Sequence, residues 1–345
     1  MAPSGERRWL TVAIDVVLAL AGLLLLLVGS DWLVAGGSRL AARRGIPPVV
    51  VGAVILGFGT SLPELVVGLA AAAGGDSSLG LGGIVGSNAA NMGLVLGVAA
   101  LAVPIAADRA AWRRVPPAIA AVLLLAVFLV TGGGVIERWE GGVLLAAMAV
   151  ATWWLLRDPH ASVGQHGDAP GPDVPAPNRM DRRIDDAVRR LAPDSRGELW
   201  RLILGLVAIV VGAQLAVDGF TGIAERIGLA TGLVGLSLVA IGTSLPELAT
   251  ALAGIRRRQP LLTLGNLLGS NIFNSLAIGG VIALVRPGGL GSDGVPWVAA
   301  AVMVGMILLA MLLLATNRRE RRLERWEGGV LLAAYAAALP LILVT

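Results

Sequence analysis

Two copies of one seven-residue peptide hold most of the side chains in this sequence that could do chemistry. Gly59-Thr60-Ser61-Leu62-Pro63-Glu64-Leu65 and Gly242-Thr243-Ser244-Leu245-Pro246-Glu247-Leu248 each set a carboxylate, two hydroxyls, a glycine and a proline in apolar surroundings. In a helix, spacings of three and four residues put Thr60, Ser61 and Glu64 on one face, and likewise Thr243, Ser244 and Glu247. Pro63 has no amide hydrogen, so a carbonyl about one turn earlier, near Gly59, loses its helical donor. Carboxylate, hydroxyl and bare carbonyl are hard oxygens, which suit Ca²⁺, Mg²⁺ or Na⁺ and suit soft metals badly. A bilayer tolerates such a helix break only where protein lines it, and a glutamate at that depth reads as functional.

A second element follows each peptide. It reads Gly82-Gly83-Ile84-Val85-Gly86-Ser87-Asn88-Ala89-Ala90-Asn91 in one half and Gly265-Asn266-Leu267-Leu268-Gly269-Ser270-Asn271-Ile272-Phe273-Asn274 in the other. Ser87 with Asn91, and Ser270 with Asn274, stand four apart and share a face. The glycines let this helix approach a neighbour closely. For Asn88 and Asn271, a role as interhelical glue explains the residue as well as ion contact does. That reading fails for Glu64 and Glu247, because no basic residue lies within the expected spans that carry them. Their counter-charge must be a proton or a bound cation.

The elements that carry these residues are membrane helices. Of 345 residues, 56% are hydrophobic and 14% charged, a balance that leaves a soluble protein no adequate surface. Apolar runs near spanning length predict ten helices at 11–29, 46–73, 79–105, 115–132, 139–156, 199–219, 229–254, 262–285, 296–316 and 328–344. The absence of cysteine excludes disulfides and thiolate metal sites. All 27 basic residues are arginine, and their basicity reflects topology rather than nucleic-acid binding. With the N-terminus outside, 22 arginines fall on the inner side and 5 on the outer, which supports ten spans. The first apolar stretch is longer than a signal-peptide core, and Ser30-Asp31-Trp32 is no small-residue cleavage site, so a retained helix is expected.

Self-comparison shows a tandem duplication. Glu137 to Ala147 recurs unchanged at Glu324 to Ala334, and Thr60, Glu64, Ser87 and Asn91 recur as Thr243, Glu247, Ser270 and Asn274. Five helices per half is odd, so the second half must enter the membrane from the other side. The expected architecture is an all-α polytopic membrane protein of ten transmembrane helices in two inverted five-helix repeats, with a site at their interface near the midplane. Residues 1–156 form the first repeat, 157–198 a cytoplasmic linker, and 199–345 the second repeat. The linker is rich in Pro, Asp, Arg and Gly, with one short helix expected from Met180 to Leu191. It holds both histidines, His160 and His166, and a metal site there is not expected.

At this point the chain resembles a prokaryotic member of the sodium/calcium exchanger family. The supporting text is Gly45-Ile-Pro-Pro-Val-Val-Val-Gly running into Gly57-Phe-Gly-Thr-Ser-Leu-Pro-Glu-Leu, then Gly86-Ser-Asn-Ala-Ala-Asn, with Ala240-Ile-Gly-Thr-Ser-Leu-Pro-Glu-Leu-Ala-Thr and Gly265-Asn-Leu-Leu-Gly-Ser-Asn-Ile-Phe-Asn in the second half. The resemblance covers nearly everything but the linker. It implies ten helices, inverted repeats and Na⁺/Ca²⁺ antiport by alternating access in a cell membrane, with both termini outside. It implies Glu64 and Glu247 as central ligands, hydroxyls from Thr60, Ser61, Thr243 and Ser244, and carbonyls from Gly57 and Ala240. Ser87, Asn91, Ser270 and Asn274 would complete flanking sites. Na⁺ and Ca²⁺ are then cargo, the lipid bilayer is the surrounding partner, and neither a resident cofactor, an enzymatic activity nor nucleic acid is expected. Gly57 stands where relatives often have Ala. Asn91 and Asn274 stand where some carry Asp, which makes a potassium-dependent branch unfavoured. Gly83 replaces the Asn expected from Asn266, as a packing change.

Three rivals remain open at this level. A buried carboxylate can carry a proton in place of a metal ion, so an H⁺-coupled or other divalent-cation antiporter of the same fold fits the residues. A cation channel also uses carboxylate and hydroxyl rings. An intramembrane hydrolase lacks a base, since no histidine lies in a span and lysine is absent.

Overall fold

The computed structural model describes residues 5–75, 77–157, 195–226, 242, 244–290, 296–316 and 322–344. Helix α1 runs from Gly5–Arg44 as one unbroken rod of 40 residues, well beyond the 11–29 expected, and ends on Arg43 and Arg44, whose charges suit a helix C-terminus. Helices α2 (Pro48–Thr60) and α3 (Leu62–Gly74) make one span bent by 40° at Ser61. There follow α4 (Ser77–Ala102), α5 (Val115–Thr131), α6 (Arg138–Arg157), α7 (Ser195–Arg226), α8 (Leu245–Arg256), α9 (Pro260–Val285), α10 (Pro296–Thr316) and α11 (Arg325–Val344). Helix α7 starts at Ser195, inside the stretch read as linker. Ala240, Thr243, both histidines and the expected helix from Met180 to Leu191 lie outside the described residues.

Six of these helices are long and apolar enough to cross a membrane, and the bent α2–α3 pair is a further such span. The molecule is a polytopic helical membrane protein. Burial separates its layers: 83% of the apolar window is inside the protein for α4 and for α9, against 28% for α1 and 22% for α6. The two Ser/Asn helices are thus the centre, while α1 and α6 face outward. On α1, Val17, Leu20, Leu24 and Leu27 are exposed at spacings of three and four, a stripe suited to hydrocarbon.

Glycine sets how closely the rods pack. Gly22 of α1 meets Gly212 and Ala216 of α7, and Gly29 meets Gly205; a Cβ on Gly22 would stand 2.3 Å from the Ala216 amide nitrogen. Numbers rise along one helix as they fall along the other, so α1 and α7 are antiparallel. Helices α2 and α9 run parallel instead. Gly52 lies against Leu262 and Asn266, and a Cβ on Gly57 would be 2.7 Å from the Ser270 nitrogen. That contact brings the first core peptide against the second Ser/Asn helix.

The duplicated peptide beginning at Glu137 and Glu324 has a structural explanation. Glu140 Oε2 accepts the Glu137 amide at 2.8 Å and Glu327 Oε2 accepts the Glu324 amide at 2.7 Å, so each glutamate closes its own helix start. The next glycines pack backbone to backbone, Gly141 on Gly280 and Gly328 on Gly97. Trp139 and Trp326 are each 65% exposed at these helix starts, where an indole suits the lipid–water interface. Four two-residue strands precede or follow these joints: β1 (Ile105–Ala106), β2 (Val135–Ile136), β3 (Gly288–Gly289) and β4 (Arg322–Leu323). β1 pairs antiparallel with β4, Ile105 opposite Leu323, and β2 with β3, Ile136 opposite Gly288.

Two ion pairs anchor α1. Asp15 pairs with Arg226 of α7, and Asp31 pairs through both carboxylate oxygens with Arg257 just past α8. Asp31 is 1% exposed, and its charge is tolerated because the guanidinium fork meets it. Removing one partner of a buried pair strands the other. Arg257→Gln is therefore expected to lower stability by about 3 kcal/mol, read as a fall in the melting temperature of the detergent-solubilised protein. Asp31→Asn combined with Arg257→Gln should recover at least half of that loss; a double variant as unstable as the single would contradict the pairing.

Candidate cation site

Each core peptide turns at its serine. Ser61 has φ −88° and ψ 7°, Ser244 φ −87° and ψ −1°, so both serines take the same conformation and each is followed by a helix that opens on a leucine-proline step. The glutamate then falls in the first turn of the new helix, Glu64 in α3 and Glu247 in α8. A helix N-terminus carries partial positive charge, which favours a carboxylate there. Within α4 and α9 the chain widens into single π-helical segments, Asn91–Val95 and Phe273–Ile278. Such segments commonly mark functional positions. They hold Asn91 and Asn274.

The side chains from these four places converge. Glu64 is 5% exposed and Glu247 0%. Ser87 Oγ donates to Glu64 Oε1 at 3.1 Å, and Ser270 Oγ donates to Glu247 Oε1 at 3.3 Å, the same pairing in each half. Other contacts cross between halves. Ser61 Oγ donates to Glu247 Oε1 at 3.3 Å, Ser270 Oγ also reaches the Gly57 carbonyl at 3.3 Å, and Thr60 Oγ1 lies 3.2 Å from Ser270 Oγ. Asn274 Nδ2 donates to Ser87 Oγ at 3.2 Å. The two carboxylates are near enough to feel each other's charge. The carboxylate of one half is therefore held by hydroxyls of both.

Ten of the twelve residues singled out in the sequence are described, and all ten are buried in or beside this cluster. Asn91 donates to Asn271 Oδ1 at 3.1 Å, one step away from the carboxylates, and Ser244 Oγ has no hydrogen-bond partner among the described residues. Ala240 and Thr243 lie outside the described residues. Four further polar residues join the region. Asn88 Nδ2 donates to Ser275 Oγ at 2.8 Å and to Met303 Sδ at 3.4 Å, and Asn271 Nδ2 reaches the Asn88 carbonyl at 3.5 Å. These contacts tie α4, α9 and α10 together, in line with the glue reading for both asparagines. Ser275 follows Asn274 directly and was visible only as a polar residue among apolar ones. The fourth, Asn266, accepts Thr60 Oγ1 at 3.3 Å.

The chemistry of this cluster is that of a hard-cation shell. Glu64 Oε2, Glu247 Oε2, Asn91 Oδ1, Asn274 Oδ1 and Ser244 Oγ are buried without a hydrogen-bond partner among the described residues. Buried oxygens left this way are costly unless something cationic meets them. Neither glutamate has a basic partner among the described residues. The hydroxyl–oxygen distances of 3.1–3.3 Å exceed the usual O–H···O spacing of about 2.7–2.8 Å. They also fall within the roughly 3–3.7 Å between adjacent oxygens of a shell drawn at Ca²⁺ or Na⁺ distance.

Comparison with known proteins agrees with this chemistry. The family model described as sodium/calcium exchanger protein matches residues 14–157 and 198–344. The putative antiporter CaxA of Alkalimonas amylolytica is 34% identical over 323 residues, covering 92% of this chain and 95% of that protein. The sodium/calcium exchanger MaX1 of Methanosarcina acetivorans is 29% identical over 350 residues, covering 95% and 98%. A solved structure of the sodium-calcium exchanger NCX_Mj, soaked with Na⁺ and Sr²⁺, superposes with a TM-score of 0.77 at 31% identity, covering 95% of this chain and 98% of that one.

A ligand bound only by the folded state stabilises it by mass action. Millimolar Ca²⁺ is expected to raise the melting temperature of the purified protein, and Glu64→Gln or Glu247→Gln to abolish that rise while leaving a cooperative transition. A full Ca²⁺ shift in both variants would place the ion elsewhere.

Proposed function

The chain belongs to the sodium/calcium exchanger family, and on that premise we propose that it is a secondary antiporter exchanging Na⁺ for Ca²⁺ at the Glu64/Glu247 cluster by alternating access. The observation that carries this reading is the pair of buried glutamates, without basic partners among the described residues, each keeping one unpartnered oxygen beside a cluster of hydroxyls from both halves. Two carboxylates neutralise one Ca²⁺. The oxygens of Glu64 and Glu247, with carbonyls from Gly57 and Ala240 and hydroxyls from Thr60 and Thr243, reach the six to eight that Ca²⁺ accepts. Na⁺ ions would sit to either flank, one among Gly57, Thr60, Ser270 and Glu247, another among Ala240, Thr243, Ser87 and Glu64, with Ser61, Ser244, Asn91 and Asn274 completing the shells.

The same reading takes the architecture as two inverted five-helix repeats, 1–156 and 199–345, joined by a linker over 157–198. Several features support it. The repeat-related helices α1 and α7 are antiparallel, and the two serine turns share dihedral angles. The π segments fall at matching positions. The strand pairs also exchange: β1 with β4 becomes β3 with β2 when the halves are interchanged. The arginine distribution supports a linker on the cytoplasmic side and both termini outside.

Charge supplies the coupling. With Ca²⁺ or Na⁺ bound, the glutamates are compensated and the site can turn between sides. With neither, two anions stand at low dielectric, and rearranging around them is costly.

In proteoliposomes, an outward Na⁺ gradient is expected to drive ⁴⁵Ca²⁺ uptake at least about tenfold above that under matched K⁺, with an H⁺ gradient alone giving little. Uptake that follows pH and ignores Na⁺ would replace Na⁺ coupling by H⁺ coupling. Single-channel currents would replace the antiporter by a pore.

A further inference from the structure

The two flanks of the cluster are not equivalent, and the difference is Asn266. Interchanging the halves maps Thr60 onto Thr243 and Ser270 onto Ser87, but maps Asn266 onto Gly83, which has no side chain. Asn266 stands one helical turn before Ser270 on α9, on the same face. It is 0% exposed, and its Oδ1 lies 3.3 Å from Thr60 Oγ1. Thr60 Oγ1 in turn lies 3.2 Å from Ser270 Oγ, which reaches both the Gly57 carbonyl and Glu247 Oε1 at 3.3 Å. Asn266 Oδ1 is thus one more edge of the same oxygen polyhedron, with the same spacing as the others.

An asparagine that only glued helices would spend its amide hydrogens on a neighbouring acceptor, as Asn88 spends its own on Ser275. Asn266 Nδ2 has no hydrogen-bond partner among the described residues. Only its oxygen is engaged, and with a hydroxyl of the cluster. A side-chain carbonyl has two lone pairs. One takes the Thr60 proton, which leaves the Thr60 lone pairs free for a cation; the other is available to the same cation.

We propose that Asn266 is an additional oxygen of the Thr60/Ser270 flank and makes that flank the tighter of two unequal Na⁺ sites. The inference rests on the Na⁺/Ca²⁺ reading above. A neutral amide oxygen favours a monovalent ion in a flank more than a divalent ion centred on the two carboxylates, so its loss acts on Na⁺ first. The repeats would then fill in order, the Asn266 flank before the Gly83 flank.

The test is the half-saturating Na⁺ for Na⁺-driven ⁴⁵Ca²⁺ flux, compared with the half-saturating Ca²⁺ for Ca²⁺/Ca²⁺ exchange, in proteoliposomes of the full chain. Asn266→Ala and Asn266→Gly are expected to raise the Na⁺ value roughly threefold to tenfold, the scale expected for removing one polar ligand, and the Ca²⁺ value distinctly less. Asn266→Asp, which keeps the oxygen, should hold the Na⁺ value at or below wild type. If the truncations fail to fold, Asn266→Ser with Na⁺-induced thermal shift on purified protein reads the same ratio. An unchanged Na⁺ value, or equal rises for both ions, overturns the proposal. A wild-type protein without Na⁺ dependence would instead overturn the exchanger reading, so the two failures are distinguishable.

Discussion

Two carboxylates, buried at membrane depth with no arginine among the described residues to meet them, are the constraint on which the rest depends. A group of this kind is expensive in hydrocarbon, and a fold keeps it only where its charge has work to do. Asp15 and Asp31 show the other solution: each is paired with an arginine, and each serves packing. Glu64 and Glu247 have serine hydroxyls instead, which can accept or release a cation without competing for it. A structural ion pair would have locked the site in one charge state.

Bringing the two carboxylates together requires backbones to approach more closely than side chains usually allow. Glycine at 52, 57 and 269 lets α2 lie against α9 with almost nothing between them. That closeness lets Ser270 touch the Gly57 carbonyl and Glu247 at once. Ser61 and Ser244 then turn the chain at matching angles, which aims the start of α3 and of α8, each carrying its glutamate, at the cluster. The antiparallel α1–α7 pair lies to one side, held by its own glycine seam. A buried charge pair, Asp31 with Arg257, ties it to the helix that carries Glu247.

Much of this was legible in the sequence because the informative residues are polar ones in apolar text. Thr60, Glu64, Ser87 and their duplicates stand out by composition alone, and the duplication says that they belong together. Among the described residues most helix positions followed hydropathy, but α1 continued to Arg44 and α7 ran from Ser195 to Arg226, beyond the expected 199–219. Hydropathy registers the lipid core and not the length of a rod, so Asp31 was counted with the loop. The Glu137–Ala147 duplicate was visible as text, yet its meaning lay in a cap and a glycine contact that only three dimensions supply. Asn266 is the sharpest case. Its mismatch with Gly83 reads as packing in the sequence, because Thr60, 206 residues away, gives no sign of touching it.

The central claim is that the loaded site crosses between sides and the empty site does not. Efflux of ⁴⁵Ca²⁺ from preloaded proteoliposomes into medium without Na⁺ or Ca²⁺ tests it most directly. The account predicts almost no efflux until either ion is added outside, and then prompt release. Rapid release into ion-free medium would contradict it.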